Sequence, residues 1–125
     1  MRTSPRNRQD VIGDIIQEYG LTIGAEIGVG TGPTTEALMV RFPELQWIAV
    51  DCWPANLPLH YGGTLSAQDQ FQRRLKFLLK LDAYAPRLRL IDWPSVEAAR
   101  GVEDGSLDLV FIDADHSYEG CKADI

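Results

Sequence analysis

The chain has 125 residues, of which 45% are hydrophobic and 24% charged, and its formal net charge is −6. This length allows one domain around one core, and the composition is that of a globular protein. The negative charge argues against a nucleic-acid partner, which needs a basic surface, and no apolar run approaches the roughly 18 residues of a membrane span. Cys52 and Cys121 are far apart and outside any CxxC motif, which argues against a disulfide scaffold or zinc site and favours a reducing, cytoplasmic location.

A first helix is predicted within residues 1–20, ahead of the first strand. Ser4 and Pro5 suit its N-cap and first helical position, and Gly20 suits the left-handed residue that ends a helix. The apolar residues that share one helical face are Val11, Ile12, Ile15, Ile16 and Tyr19.

Further along, helices and short apolar strands alternate. Strands are predicted at about 22–27, 47–50, 87–91 and 107–112. Pro33 begins the second helix, Ser66 and Asp69 form a capping pair for the third, and residues 94–100 form a short fourth. The apolar residues Phe71, Leu75, Leu78 and Leu79 mark one face of the third helix.

Uniformly apolar strands separated by helices predict a parallel sheet covered on both faces. Right-handed crossovers then give an α/β fold, a Rossmann-like doubly wound sheet with strand order 3-2-1-4. Ligands of such sheets bind at the carboxyl ends of the strands, beside the point where the strand order reverses. Here that point lies between strands one and four, where the polar segments 26–32 and 113–116 follow their strands.

Segment 26–32 reads Glu-Ile-Gly-Val-Gly-Thr-Gly. A turn that lies against a ligand needs residues without a Cβ, and the amide groups at the start of the next helix can reach a carboxylate or a ribose. A tight structural turn would explain the glycines alone. The apolar strand before them, Pro33 after them and Glu26 two positions before Gly28 favour a cofactor-binding turn that includes Val29, Gly30 and Gly32.

Two further acidic residues follow strands two and three. Asp51 lies 19 residues beyond Gly32, where an acidic side chain can accept both hydroxyls of a ribose, and Cys52 is assigned to the same site. Alone, Asp51 would be read as a solvated strand end. Asp92 or Ser95 could bond the edge of an adenine ring, although capping of the next helix explains Asp92 equally well.

Two carboxylates and an imidazole, from Asp113, Asp115 and His116, follow strand four. Such a group beside the switch point is costly to hold without a purpose, and histidine titrates where proton abstraction at neutral pH requires it. The alternative is that Asp115 and Ser117 merely cap the next helix. We predict functional roles for Asp113 and His116.

These residues also carry a family resemblance. Segment 26–32 resembles motif I of class I S-adenosylmethionine-dependent methyltransferases, E/D-x-G-x-G-x-G, rather than the dehydrogenase G-x-G-x-x-G. Asp51 matches the ribose-binding acidic residue of that class. Segment 107–120 is similar to that of small-molecule O-methyltransferases of the "methyltransferase domain 24" type, and to caffeoyl-CoA and catechol O-methyltransferases. The resemblance covers about residues 22–124 and identifies 1–125 as an S-adenosylmethionine-binding domain.

The resemblance implies methyl transfer from S-adenosylmethionine to a small-molecule acceptor, at oxygen. In relatives the first aspartate after strand four can bind a divalent metal, so Asp113 is the candidate ligand for Mg²⁺ or another divalent ion. His116, or Asp113 with a metal, would take the acceptor's proton. The predicted cofactor-binding residues are Glu26, Gly28, Val29, Gly30, Gly32, Asp51, Cys52, Asp92, Ser95 and Asp113.

Members of this family continue through a long helix, a fifth strand and an antiparallel sixth and seventh pair, which are absent from this sequence. We therefore expect an incomplete fold with little activity, whose exposed fourth strand pairs with another copy. Two alternatives stay open. One is a noncatalytic cofactor-binding fragment. The other is a nicotinamide oxidoreductase, which would need a glycine where Pro33 stands.

Overall fold

Helices and strands alternate along the chain. The computed structural model describes residues 7–54, 57–58, 63–92, 99–100 and 102–112. No helix within these ranges is long and apolar enough to cross a membrane. In chain order the elements are α1 (Arg8–Tyr19), β1 (Ile23–Ile27), α2 (Pro33–Arg41), β2 (Gln46–Val50), β3 (Leu57–Pro58), β4 (Thr64–Leu65), α3 (Ala67–Tyr84), β5 (Leu88–Ile91) and β6 (Leu109–Ile112).

The four longer strands form one parallel sheet in the order β5-β2-β1-β6. This confirms the predicted order 3-2-1-4. In the register of the sheet, Ile27 lies beside Val50 and Ile112, and Val50 lies beside Ile91, so all four strands end at one edge. The short strands β3 and β4, which the sequence did not predict, pair with each other in an antiparallel sheet.

The two faces of the sheet bury different residues because side chains alternate along a strand. On one face Trp47 and Ala49 pack with residues of all three helices, among them Ile16, Leu38 and Phe77. On the other face lies a smaller cluster of Ala25, Ile48 and Val50, against which Val102 and Leu107 pack. The helices α1, α2 and α3 therefore cover the same face, and the larger core lies under them.

The helix ends follow local capping rules. The first helix begins later than predicted, at Arg8, because the side chain of Asn7 accepts a hydrogen bond from the amide of Asp10 at 2.9 Å; Ser4 and Pro5 lie outside the described residues. Gly20 ends this helix in the left-handed conformation, with φ of 60°. Pro33 is the first residue of α2, and Ser66 with Asp69 forms a reciprocal capping box at α3, as predicted.

Only part of the apolar face of α1 is buried. Ile12 and Ile16 are buried, whereas Val11, Ile15 and Tyr19 are 44%, 37% and 68% exposed. Among the described elements α1 contacts α2. The stripe that it buries in the larger core, with Ile12 and Ile16, is narrower than its apolar stripe.

The apolar face that the sequence marks on α3 is mostly exposed. Phe71, Leu75 and Leu79 are 54%, 42% and 77% exposed, and the fully buried residues of the helix are Gln70 and Phe77. The helix is rotated because Phe77 packs under the aromatic ring of Trp53 and polar residues near Phe77 bond the segment after β1. Contacts made far away in sequence therefore decided which apolar stripe was covered.

Some predicted elements lie outside the described residues or stay predictions. The helix proposed at 94–100 falls mostly on residues that the structure does not describe, as does the helix proposed after Ser117. Among the described strands, β6 pairs with β1 alone, and Val110 on β6 is 45% exposed. Pairing of its other edge with a second copy stays a prediction.

Candidate active site

The carboxyl edge of the sheet brings together the polar segments that the sequence analysis singled out. The glycine turn, residues 28–32, follows β1 and leads into α2. Asp51 and Cys52 follow β2, which lies beside β1, and Asp92 follows β5 on the far side of β2. The amide of Gly28 donates to the carbonyl of Val50 at 2.8 Å, so the turn leaves the sheet directly beside Asp51.

The carboxylate of Asp51 holds the glycine turn in place. Its Oδ2 accepts hydrogen bonds from the amides of Val29 at 3.0 Å and Gly30 at 3.1 Å. Its Oδ1 accepts from the amide of Trp53 at 2.8 Å. Hydrogen bonds to a carboxylate are stronger than those between neutral groups. One half-buried side chain therefore fixes both the turn after β1 and the segment after β2.

Trp53 was missed by sequence reasoning, although it contacts the turn. Its indole Nε1 donates to the carbonyl of Gly30 at 3.0 Å, and its ring lies 5.8 Å from that of Phe77. It is buried and has a φ of 45°, a conformation that non-glycine residues seldom adopt. Two hydrogen bonds, one to the turn and one to Asp51, thus hold a strained backbone at the residue that follows the half-buried Cys52.

Glu26 is buried beneath the start of the turn, with 2% of its surface exposed. Its Oε1 accepts a hydrogen bond from the hydroxyl of Thr35 at 2.8 Å. Burial raises the pKa of the Glu26 carboxyl to about 7; the Thr35 bond and the charge of Arg8 oppose the rise, and Asp51 adds to it. This carboxyl can therefore change charge near neutral pH.

The inner face of α3 lies along the glycine turn. The guanidinium of Arg73 occupies the space into which a Cβ on Gly30 would project, and the ring of Phe77 does the same at Gly32. Lys80 Nζ donates to the carbonyl of Thr31 at 2.9 Å. These residues, at positions 73, 77 and 80, recur at helical spacing. In the sequence, a helical stripe with two cations is typical of a face exposed to solvent. No sequence signal therefore marks these three residues as part of the site.

Asp92, a predicted adenine contact, is bound to α3 in the structure. One carboxylate oxygen lies 2.6 Å from Arg74 Nη2, and the Arg74 guanidinium lies 6.0 Å from the centre of the Trp53 ring. Both side chains of the pair are more than a third exposed, so it contributes little to stability. Contact with adenine and capping of a following helix both stay predictions.

The structure thus places Glu26, Gly28, Val29, Gly30, Gly32, Asp51 and Cys52 at one edge, with Asp92 near them. Ser95, Asp113 and His116 lie outside the described residues. Within the described ranges, no group of three or more His, Cys, Asp or Glu side chains could hold a metal ion. A metal at Asp113 stays a prediction.

Several solved structures share this fold. A "putative caffeoyl-CoA O-methyltransferase" from Staphylococcus aureus matches 98% of this chain and 52% of its own, with 16% identity and a TM-score of 0.66. The S-adenosylhomocysteine-bound methyltransferase PaMTH1 from Podospora anserina matches 97% of this chain and 47% of its own, with 21% identity and a TM-score of 0.62. Cofactor-bound Rv0187 from MTB matches 92% and 47%, with 18% identity and a TM-score of 0.55.

At these identities the structural matches show the fold, and the chain spans about half the length of the proteins that it matches. A search of curated protein sequences gives no significant match. Residues 25–125 match a protein family described as a methyltransferase domain. Since this match covers most of the chain, and the sheet order and the glycine turn agree with it, the chain belongs to the methyltransferase domain family, of the class I S-adenosylmethionine-dependent type.

Proposed function

We propose that this chain binds S-adenosylmethionine at the carboxyl edge of its sheet and takes part in methyl transfer to an oxygen of a small-molecule acceptor. The observation that carries the proposal is the glycine turn, which Asp51 fixes between β1 and β2 and in which the missing side chain of Gly30 leaves room for the guanidinium of Arg73. The S-adenosylhomocysteine-bound and cofactor-bound proteins that share the fold support this choice of cofactor.

The residues present fit the chemical groups of this cofactor. Oδ2 of Asp51 accepts two hydrogen bonds and Oδ1 accepts one, which leaves Oδ1 capacity for a ribose hydroxyl. The ionised form of Glu26, beside the turn, would be favoured by a nearby sulfonium cation. Because Gly30 has no Cβ, the guanidinium of Arg73 lies directly against the backbone of the turn. When bound, the cofactor supplies an electrophilic methyl group.

The protein's own contribution is to hold the reacting groups in line and to exclude water. An oxygen acceptor must lose a proton, and we assign that step to His116, with Asp113 beside it in sequence after β6. Asp113 with a divalent metal is the alternative base. Stimulation by magnesium that disappears in Asp113→Asn would favour the metal, and loss of turnover in His116→Ala without a change of affinity would favour the histidine.

Calorimetric titration of the purified chain with S-adenosylhomocysteine and with NADH tests the cofactor. We expect saturable binding of S-adenosylhomocysteine and none of NADH; tighter binding of NADH would overturn the proposal in favour of an oxidoreductase. Transfer of labelled methyl from S-adenosylmethionine to a panel of hydroxylated small molecules tests the reaction. Binding without any transfer would instead indicate a noncatalytic cofactor-binding unit.

A further inference from the structure

Arg73 is the residue of α3 that lies directly over the glycine turn. Its guanidinium fills the space beside the Cα of Gly30. Nη1 donates to Oε1 of Gln70 at 2.8 Å, and Nε2 of Gln70 donates to the carbonyl of Pro54 at 2.9 Å. Gln70 is 2% exposed, so the residue that orients Arg73 is itself fixed in the core. The guanidinium is therefore held at the turn by a buried amide.

The charge of Arg73 has no carboxylate partner in the described part of the chain. Two other cations of α3 do have one, because Arg74 pairs with Asp92 at 2.6 Å and Lys80 lies 3.9 Å from Glu36. The carboxylate of Asp51 is turned to three backbone amides instead. A guanidinium offers five N–H donors, and a half-buried cation is stabilised by a bound anion.

The location and geometry of this guanidinium suit a carboxylate ligand. Arginine binds a carboxylate through two parallel hydrogen bonds, which a lysine ammonium cannot reproduce. S-adenosylmethionine and S-adenosylhomocysteine carry one anionic group, the α-carboxylate of the amino-acid end. We propose that Arg73, oriented by Gln70, binds this carboxylate where it passes Gly30. The inference rests on the proposed function, because it requires the cofactor to lie on the glycine turn.

Two ligands that differ in the amino-acid end test the inference. S-adenosylhomocysteine has the carboxylate, whereas 5′-methylthioadenosine keeps the adenosine and sulfur but lacks the amino acid. Calorimetry should compare the full chain with Arg73→Gln, Arg73→Lys and Lys76→Gln. Lys76 is an exposed cation on the outer side of the same helix and serves as the control. Thermal melts establish that each variant is folded.

We expect Arg73→Gln to weaken the binding of S-adenosylhomocysteine by about tenfold to a hundredfold, the range for a hydrogen bond with a charged group. The affinity for 5′-methylthioadenosine should not change. Arg73→Lys should fall between, and Lys76→Gln should match the original chain. Equal loss of both ligands in Arg73→Gln would overturn the inference, because it would make Arg73 a structural clamp on the turn. Unchanged binding of both ligands would also overturn it. If the original chain binds neither ligand, the proposed function itself fails.

Discussion

Asp51 and Asp108 stand at opposite edges of the same sheet and use the same chemistry. Asp51 follows β2 and accepts from the amides of Val29 and Gly30, across to the end of β1. Asp108 precedes β6 and accepts from the amides of Thr22 and Ile23, at 2.9 and 3.3 Å, across to the start of β1. Each carboxylate joins one strand to its neighbour through backbone amides.

The surroundings of the two carboxylates differ. At the amino edge, Asp108 is exposed and its partners are ordinary backbone groups and the Thr22 hydroxyl. At the carboxyl edge, Asp51 holds a glycine turn beside the buried Glu26, and the guanidinium of Arg73 lies against the Cα of Gly30. An aspartate at a strand end is therefore no evidence of a binding site on its own, and the glycines and buried charge around it distinguish the two edges.

The largest expected effect is the loss of cofactor binding when a side chain is added to the glycine turn. Gly30 and Gly20 both have φ of 60°, but a Cβ would meet Arg73 at Gly30 and nothing within 4 Å at Gly20. Each change to alanine should cost stability by about 1–2 kcal/mol for the left-handed backbone. Only Gly30→Ala should abolish S-adenosylhomocysteine binding by calorimetry. If Gly30→Ala kept its affinity for S-adenosylhomocysteine, the turn would have a structural role only, like the contacts of Asp108 at the amino edge.

The next effect concerns the pH dependence of stability at the carboxyl edge. Burial raises the pKa of Glu26 from 4.5 to about 7, so the unfolded chain loses this proton at lower pH than the folded chain. The free energy of unfolding is therefore highest below pH 4.5, where Glu26 is neutral in both states, and it falls as the pH rises to about 7. The loss is about 3 kcal/mol in urea unfolding, at 1.36 kcal/mol per pH unit.

Glu26→Gln should remove this loss, so the difference in unfolding free energy between the variant and the original chain should change by about 3 kcal/mol from pH 4.5 to 8. Glu44→Gln, at an exposed glutamate, is the control and should leave the pH profile unchanged. Parallel profiles for Glu26→Gln and the original chain would show that Glu26 ionises normally in the folded state.

A smaller effect is expected when the side chains of Asp51 and Asp108 are removed in turn and the two variants are compared. Asp51→Ala should weaken S-adenosylhomocysteine by about 1.5–3 kcal/mol, the range for a hydrogen bond with a charged group, and should lower stability because two turn amides lose their acceptor. Asp108→Ala should lower stability without changing the affinity. Calorimetry and urea unfolding of both variants provide the comparison. Equal affinities for Asp51→Ala and the original chain would remove Asp51 from the binding site.

The strand order and the position of the turn could be predicted from sequence because both follow from local patterns. Apolar runs locate strands, right-handed crossovers limit their order, and the glycine spacing marks the turn after β1. The helix signals Pro33, Gly20 and the Ser66–Asp69 pair are equally local, and each was confirmed.

What could not be predicted depends on partners distant in sequence. Leucines and phenylalanines lie on both sides of α3, and the covered side is the one on which Phe77 packs against Trp53. The bond of Arg73 to the buried Gln70 and its place over Gly30 required the helix to be docked first. Asp108 reaches Thr22 across 86 positions, and nothing near it in sequence marks that contact.

The smallest expected effect is the loss of unfolding free energy at acid pH that comes from Asp108, at the amino edge of the sheet. Backbone hydrogen bonds from Thr22 and Ile23 lower the pKa of Asp108 below its ordinary value of 3.8. The folded chain therefore keeps this carboxylate ionised at pH values where the unfolded chain binds a proton. Its contribution is present above the unfolded pKa and is lost as pH falls through the lower folded pKa, opposite in sign to that of Glu26.

Asp108→Asn should flatten the acid limb of urea unfolding below about pH 4, the ordinary range for an aspartate, while an amide oxygen still accepts from the Thr22 amide. Because Asp108 is exposed, the effect should shrink as salt is added. Asp104→Asn, at an exposed aspartate just before it, is the matched control and should keep the acid limb. If Asp108→Asn still loses stability below about pH 4, other carboxylates must cause that loss. Asp108 and Asp51 would then resemble each other in their hydrogen bonds but not in what they contribute to stability.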